Sequence, residues 1–225
     1  KGEILLSKSI LKRFLNLIFF KLAPLLVQVR IPSEDLKNDY CFYKNNIIYK
    51  PNRIFNIDKI NFEISKKKSR DIVIVSRDGK EKKLYETLSL LNDVLIKKRK
   101  VTIIGSIINK NFEKLDINYI ECIIERNIYY ETLSHHKVGI LFSAAEGFGN
   151  VIPEYIFCNV WPIVNNCQWG PSETIKKYKV GNILNWDWDE DMQKIKNKSR
   201  IIDEIIESKN PINEKIRNKV RNHHQ

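Results

Sequence analysis

Between Asp71 and Tyr178 the chain alternates between two kinds of segment, and that alternation limits the folds open to it. Ile72-Val73-Ile74-Val75, Val101-Thr102-Ile103-Ile104, Tyr119–Ile124, Val138–Phe142 and Trp161–Val164 are short apolar runs, rich in β-branched and aromatic residues. Segments with helical spacing lie between them: 80–99, which puts Leu84, Leu88, Leu91 and Leu95 on one face, then 129–136, 150–158 and 172–178. Runs this short and this evenly apolar belong to strands covered on both faces. Strand and helix in strict alternation give right-handed βαβ units and a parallel sheet. The expected fold is α/β, a Rossmann-like doubly wound parallel sheet. Two charged helices, 192–206 and 212–222, follow it and are separated by Pro211.

The first 68 residues read differently. Residues 8–22 form a basic amphipathic helix, with Ile10, Leu11, Phe14, Leu17, Ile18 and Leu22 at helical spacing among four basic side chains. Leu25–Val29 and Ile47–Tyr49 are strand candidates, and Pro32-Ser33-Glu34-Asp35 opens a helical turn between them. Residues 56–70 lack a period and contain Lys66-Lys67-Lys68, which reads as a linker. The chain divides into 1–68, a sheet domain at 69–190 and terminal helices at 191–225.

Charge follows the same division. Of 39 basic and 27 acidic residues in the 225, the first 70 carry 15 and 6. A surplus concentrated in one part points that part toward an anionic surface, without saying which one. A hydrophobic fraction of 43% excludes intrinsic disorder. The four cysteines, Cys41, Cys122, Cys158 and Cys167, form no CxxC pair. They read as reduced thiols of a cytoplasmic protein, with neither a zinc site nor a disulfide framework. Lys21 and Pro24 break the most apolar stretch, Leu15–Val29, so it is too short to span a bilayer. The chain begins with Lys1 rather than Met, and two expectations stay open: a fragment of a longer protein, or a chain completed by a partner chain.

In a doubly wound sheet, ligands bind outside the carboxyl ends of the strands. The loop after the fourth regular strand reads Ser143-Ala144-Ala145-Glu146-Gly147-Phe148-Gly149-Asn150-Val151-Ile152-Pro153-Glu154. Gly147 and Gly149 let backbone approach a ligand. Asn150 is placed as a helix N-cap, and Pro153 suits the first turn. The start of that helix is suited to a phosphate. Glu146 and Glu154 bracket the turn, and carboxylates accept hydrogen bonds from vicinal sugar or ribose hydroxyls.

This run resembles the donor-binding motif of the retaining GT-B glycosyltransferases of the large family-four group, the glycosyl transferases group 1 type. The resemblance implies that Glu146 contacts the donor sugar as the catalytic carboxylate. It also implies that Gly147, Phe148, Gly149 and Asn150 offer backbone to sugar and diphosphate, and that Glu154 holds the ribose. Cys167-Gln168-Trp169-Gly170-Pro171-Ser172-Glu173 is similar to the Cys-x-x-Gly-Pro-x-Glu loop of bacterial surface-polysaccharide transferases. Ser76-Arg77-Asp78-Gly79-Lys80-Glu81-Lys82-Lys83 resembles the segment in which Arg and Lys clamp the diphosphate. Arg77 takes the first role. Lys80, Lys82 or Lys83 takes the second, with Lys82 preferred. Tyr155, Ile156 and Phe157 replace the usual small residues after the second Glu, Asn159 replaces a Gly, and Ser76 stands where Gly is common.

The resemblance implies a sugar-nucleotide-dependent transferase of surface-glycan assembly that retains anomeric configuration. Its partners are a UDP- or GDP-linked sugar and a lipid-linked or glycan acceptor, at the inner membrane face, with no metal and no cofactor. The family's acceptor-side glycine-rich loop and its histidine or acidic residue have no counterpart in residues 1–68, so the active site is expected to be incomplete. A sugar-nucleotide 2-epimerase of the same fold is the alternative. A nucleic-acid binder is disfavoured because the basic residues lack aromatic interleaving. A dinucleotide oxidoreductase is disfavoured because no GxGxxG follows the first regular strand. The pairs His135-His136 and His223-His224 and three of the four tryptophans read as structural or surface residues. Trp169 is the exception, a possible substrate contact.

Overall fold

The computed structural model describes residues 29–31, 47–49, 52, 54–55, 60–77, 79–108, 110–121, 123, 125–166, 170–186, 188, 192–208 and 211–225. The helix expected over 8–22, the helical turn at 32–35, Cys41, Cys122, and Cys167-Gln168-Trp169 lie outside these residues, as does most of the strand expected at 25–29. The chain divides into two compact units, Lys1–Asn52 and Arg53–Gln225. In the first, β1 (Val29–Ile31) and β2 (Ile47–Tyr49) pair in parallel, with Val29 opposite Ile47 and Ile31 opposite Tyr49.

The second unit runs β3 (Arg70–Ser76), α1 (Leu84–Val94), β4 (Arg99–Gly105), β5 (Leu115–Ile120), α2 (Arg126–Ser134), β6 (His136–Leu141), α3 (Val151–Phe157), β7 (Trp161–Asn165), α4 (Gly170–Tyr178), β8 (Asn182–Leu184), α5 (Met192–Ser199), α6 (Ile201–Glu207) and α7 (Glu214–His223). The six strands form one parallel sheet in the order β5-β4-β3-β6-β7-β8. The chain builds outward from β3 on one side, returns to the middle, and builds outward from β6 on the other. This is the doubly wound arrangement the alternation predicts, and its switch point lies between β3 and β6.

Successive residues of the central strands face opposite helix layers. Ile72 and Ile74 pack with Leu84, Leu88 and Leu91 of α1 and with Ile195, Ile202 and Ile206 of α5 and α6. Val73 packs on the other side with Tyr130, Leu133, Ile152, Tyr155 and Ile175 of α2, α3 and α4, and with Val220 of α7. Both faces are covered, which is why these strands read as unbroken apolar runs.

The structure moves several expected boundaries. The helix expected over 80–99 begins only at Leu84, because Lys83 adopts a left-handed conformation (φ 49°) after a 3-10 turn at Lys80–Lys82. It ends at Val94, where Leu95 turns extended but stays buried. The third strand lies at 115–120 rather than 119–124. β5 is a sheet edge and exposes Asp116 and Asn118, so its alternating pattern is less apolar than the run that follows it. The helix expected over 192–206 is two helices that break at Arg200, and the three-residue edge strand β8 was not foreseen. Residues 60–69 form neither helix nor strand, yet they are tied down. The Phe62 ring packs on Tyr130 and Phe157, and the Lys68 ammonium donates to the Ser134 and Asn159 carbonyls at 2.8 Å each.

Tyr155, one of the large residues following Glu154, is completely buried beneath the sheet. A Cβ on Gly139 of β6 would overlap its ring, so the glycine supplies the space that the tyrosine fills. Its hydroxyl accepts from Val75 N at 3.2 Å and donates to the Val73 carbonyl at 3.4 Å. The departure in size after Glu154 is therefore absorbed by β3 and β6 from below.

Candidate functional site

At the carboxyl ends of β3 and β6 two loops meet, 77–83 and 142–150. Ala144 N donates to the Glu81 carbonyl at 2.8 Å, which joins them main chain to main chain. Lys82 Nζ donates to Glu146 Oε2 across the same gap, and both side chains are largely enclosed. Lys82 N closes the 3-10 turn on the Gly79 carbonyl at 3.0 Å, so this lysine is presented by a defined turn. Of the three lysines left open by sequence, Lys82 is the one in contact with Glu146. Lys83 pairs with Glu86 of α1 at 3.0 Å, and Lys80 is exposed. Arg77 opens the loop with its side chain 68% exposed and donates to Glu81 Oε1 at 2.8 Å.

The β6–α3 loop is held from behind. Asn165, fully buried at the end of β7, accepts from Ser143 N at 3.1 Å and donates to the Ser143 carbonyl at 3.0 Å, as a second backbone would. Gly147 is exposed, and a Cβ there would meet nothing within 4 Å. Gly149 has a φ of 71°, and a Cβ on it would lie 2.8 Å from the Pro171 ring. Phe148 is buried at 6% exposure, and its ring lies 5.5 Å from that of His224. Gly170 at the start of α4 lies against Phe148, where any Cβ would overlap the Phe148 main chain.

Asn150 is not the cap expected of it. Its dihedrals are already helical (φ −48°, ψ −29°), and its side chain makes no capping bond to α3. Pro153 does sit in the first turn of α3, where its missing N–H costs nothing.

Glu146 and Glu154 occupy different surroundings. Glu154, on α3, is 6% exposed and accepts from the Tyr129 hydroxyl at 2.7 Å and from Arg126 Nη1 at 3.1 Å. Burial raises its carboxyl above the usual range, while these two bonds act in the opposite direction. The Tyr129 phenol is pushed well up by its own burial and by the neighbouring carboxylate. Each carboxylate oxygen has lone pairs left for a hydroxyl.

Sequence reasoning missed Arg126, Tyr129, Asn165 and His224. His224, expected only to be structural or surface, is a buried structural residue at 2% exposure. Its carbonyl accepts from Ile54 N at 2.7 Å and Phe55 N at 3.1 Å, and its ring faces Phe148 and Tyr178. His136 was placed on a helix beside His135. It opens β6 instead, buried, with Nε2 2.7 Å from Thr102 Oγ1 and Nδ1 2.9 Å from the Thr132 carbonyl. A polar residue that closes an apolar run, as Asn165 does after Trp161–Val164, is the only local signal any of these carries.

A hollow of about 880 Å³ opens beside the 77–83 loop, lined by Gly79, Lys80, Tyr85, Gly105, Ser106 and Glu121 among others. That volume is in the range of small-ligand sites. Among the described residues there is no group of three or more His, Cys, Asp or Glu side chains able to hold a metal ion. No helix among them is long and apolar enough to cross a membrane.

Residues 56–223 match the protein family described as glycosyl transferases group 1. A search of curated protein sequences returns no match. Among solved structures, TarM superposes with a TM-score of 0.65 at 16% identity, over 93% of this chain and 42% of its own. The pneumococcal O-GlcNAc transferase GtfA, solved with UDP and GlcNAc, gives 0.61 at 15%, over 92% and 43%. WaaG, a glycosyltransferase involved in lipopolysaccharide biosynthesis, gives 0.60 at 13%, over 88% and 58%. These likenesses establish the GT-B type of α/β fold. The chain spans roughly half the length of the structures it matches.

Proposed function

Since this chain belongs to the glycosyl transferases group 1 family, we propose that its crevice at the β3–β6 switch point binds a nucleotide-sugar donor for transfer to a lipid-linked or glycan acceptor in surface-polysaccharide assembly. The observation that carries the proposal is the meeting of Lys82 and Glu146 across that switch point, beside a Gly147 that no protein atom crowds. Arg77 and Lys82 take the diphosphate, and Glu146 takes the sugar. Gly147, Phe148, Gly149 and Asn150 offer backbone, and Glu154, braced by Tyr129, takes the ribose. When the anomeric carbon–oxygen bond breaks, its electrons pass to the departing phosphate oxygen. The two cations offset that charge, a form of preorganised electrostatic stabilisation. We read the transfer as retaining and as needing no metal, with UDP or GDP as the carrier. UDP is favoured because the structurally similar GtfA was solved with it.

Calorimetric titration of UDP- and GDP-linked sugars into the wild-type protein and into Gly147→Ala tests the site. One of the donors is expected to bind wild type. The added methyl meets no protein atom, so the melting temperature should stay within about a degree, while affinity falls roughly tenfold from crowding of the ligand. A Gly147→Ala variant that binds donor normally removes the crevice as the site.

The acceptor is read from the family resemblance, and the cytoplasmic membrane face is supported by the basic surplus of the first 70 residues. Each Lys or Arg near an anionic leaflet contributes about 1 kcal/mol. Co-sedimentation with anionic vesicles at low salt is expected, together with release at high salt. Equal recovery with neutral vesicles would withdraw the membrane from the proposal.

A further inference from the structure

The two loops at the crevice carry two cations and two carboxylates, and every one of the four is paired: Lys82 with Glu146, Arg77 with Glu81. Resting on the donor-site reading above, we infer that Glu81 is the resting counter-ion of Arg77, which it holds until a diphosphate displaces it, as the same diphosphate displaces Glu146 from Lys82. The Glu81 side chain is the fixed half of its pair, 23% exposed against 68% for Arg77. Its carboxylate lies over Gly79, where a Cβ would come within 2.8 Å of Oε1. Its own carbonyl accepts from Ala144 N, so the residue that pairs with Arg77 also ties the clamp loop to the loop carrying Glu146. The guanidinium is the half free to swing.

The exchange is chemically directed. A guanidinium makes two parallel bonds to a phosphate, against the single bond it makes to Glu81. Lys82 released to the phosphates leaves the Glu146 oxygens free to accept from sugar hydroxyls. A bare nucleoside diphosphate opens both pairs and offers Glu146 nothing in return, whereas a nucleotide sugar replaces what Glu146 loses. The pairing therefore favours donor over released nucleotide.

The test is a double-substitution cycle in the intact chain, with UDP and GDP as calorimetric probes at low salt and melting temperatures recorded throughout. Glu81→Gln preserves shape and the main-chain bond to Ala144. It is expected to tighten binding of the nucleoside diphosphate about twofold, the size of an exposed i,i+4 ion pair. In an Arg77→Gln background the same change is expected to do nothing. Glu81→Met, run as a second variant, should follow the same pattern. Weaker binding by Glu81→Gln, or an equal change in both backgrounds, shows Glu81 to be only a structural tie and overturns the inference alone. Failure of wild type to bind either nucleotide overturns the donor-site reading, and this inference with it.

Discussion

Lys82→Ala is expected to weaken nucleotide-sugar binding about a hundredfold, whereas Lys80→Ala and Lys83→Ala are expected to bind within about twofold of wild type. Two effects add for Lys82. The charged hydrogen bond to the diphosphate is lost, worth roughly 1.5–3 kcal/mol. Glu146 is also left without its cation, facing the same phosphates, since no other basic group is bonded to it among the described residues. Like charges at that range repel by an amount comparable to the lost attraction, though solvent reduces it. The second effect is separable. Glu146→Gln added to Lys82→Ala should recover about tenfold in affinity for the nucleoside diphosphate, because the repulsion goes. It should not restore the preference for the sugar-bearing form, because the acceptor of the sugar hydroxyls goes too. Lys83 is committed to Glu86 on α1, and Lys80 is exposed at the edge of the neighbouring hollow, so neither is bonded to Glu146 as Lys82 is. Calorimetry on the four variants decides the matter. Normal binding by Lys82→Ala would leave the Lys82–Glu146 contact without a functional meaning.

What the sequence discloses about this site is what local chemistry can encode. The apolar runs locate β3, β4, β6 and β7, and a doubly wound order places the crevice after the strand that ends at Leu141. The glycines mark where backbone comes close, and the structure gives each a different reason. Gly149 needs its left-handed φ, Gly170 the contact with Phe148, and Gly147 answers to nothing within the protein. Even the ambiguity among the three lysines is local in origin. Lys80, Lys82 and Lys83 are near neighbours in a helix-compatible run, and only the turn at 80–82 followed by the left-handed Lys83 aims one of them inward.

The supporting shell has no such signature. Glu154 is braced by Tyr129, 25 residues away, and the β6–α3 loop by Asn165, 22 residues from its partner. His224 lies at the chain end, where a pair of histidines in a basic helix gives no sign that one is buried under Phe148. These contacts exist because parallel strands bring distant segments to one sheet end. They can be inferred only after strand order and register are known. The edge strand β5 was displaced for a related reason: an edge is half solvated, and its alternation is diluted by Asp116 and Asn118.

The largest loss of stability is expected away from the crevice, from Arg99→Met. Arg99 opens β4 with its side chain 5% exposed, and it donates through Nε to Asp203 at 2.9 Å and through Nη1 to Glu207 at 2.8 Å, both on α6. Asp71 of β3 lies 3.9 Å away and keeps Lys137 at 2.8 Å, so it does not depend on Arg99. Glu207 is half exposed and regains water when its partner leaves. Asp203 does not: it is 12% exposed and, among the described residues, would retain only the amide of Ile96. Removing one member of a buried pair costs about 3–5 kcal/mol through the charge left behind. With only Asp203 stranded, about 3 kcal/mol is expected, read as a lower urea midpoint at unchanged slope. If the cost lies in that carboxylate, Arg99→Met with Asp203→Leu should restore most of the loss, because an apolar pair of similar volume serves as well as an ion pair in such a place. A double variant no better than the single one would place the cost in lost packing of α6 against Leu95 instead. Donor affinity of the folded variant should stay within twofold of wild type. Arg99 and the crevice lie at opposite ends of a seven-residue strand, roughly 20 Å apart, and substitutions that far apart act independently.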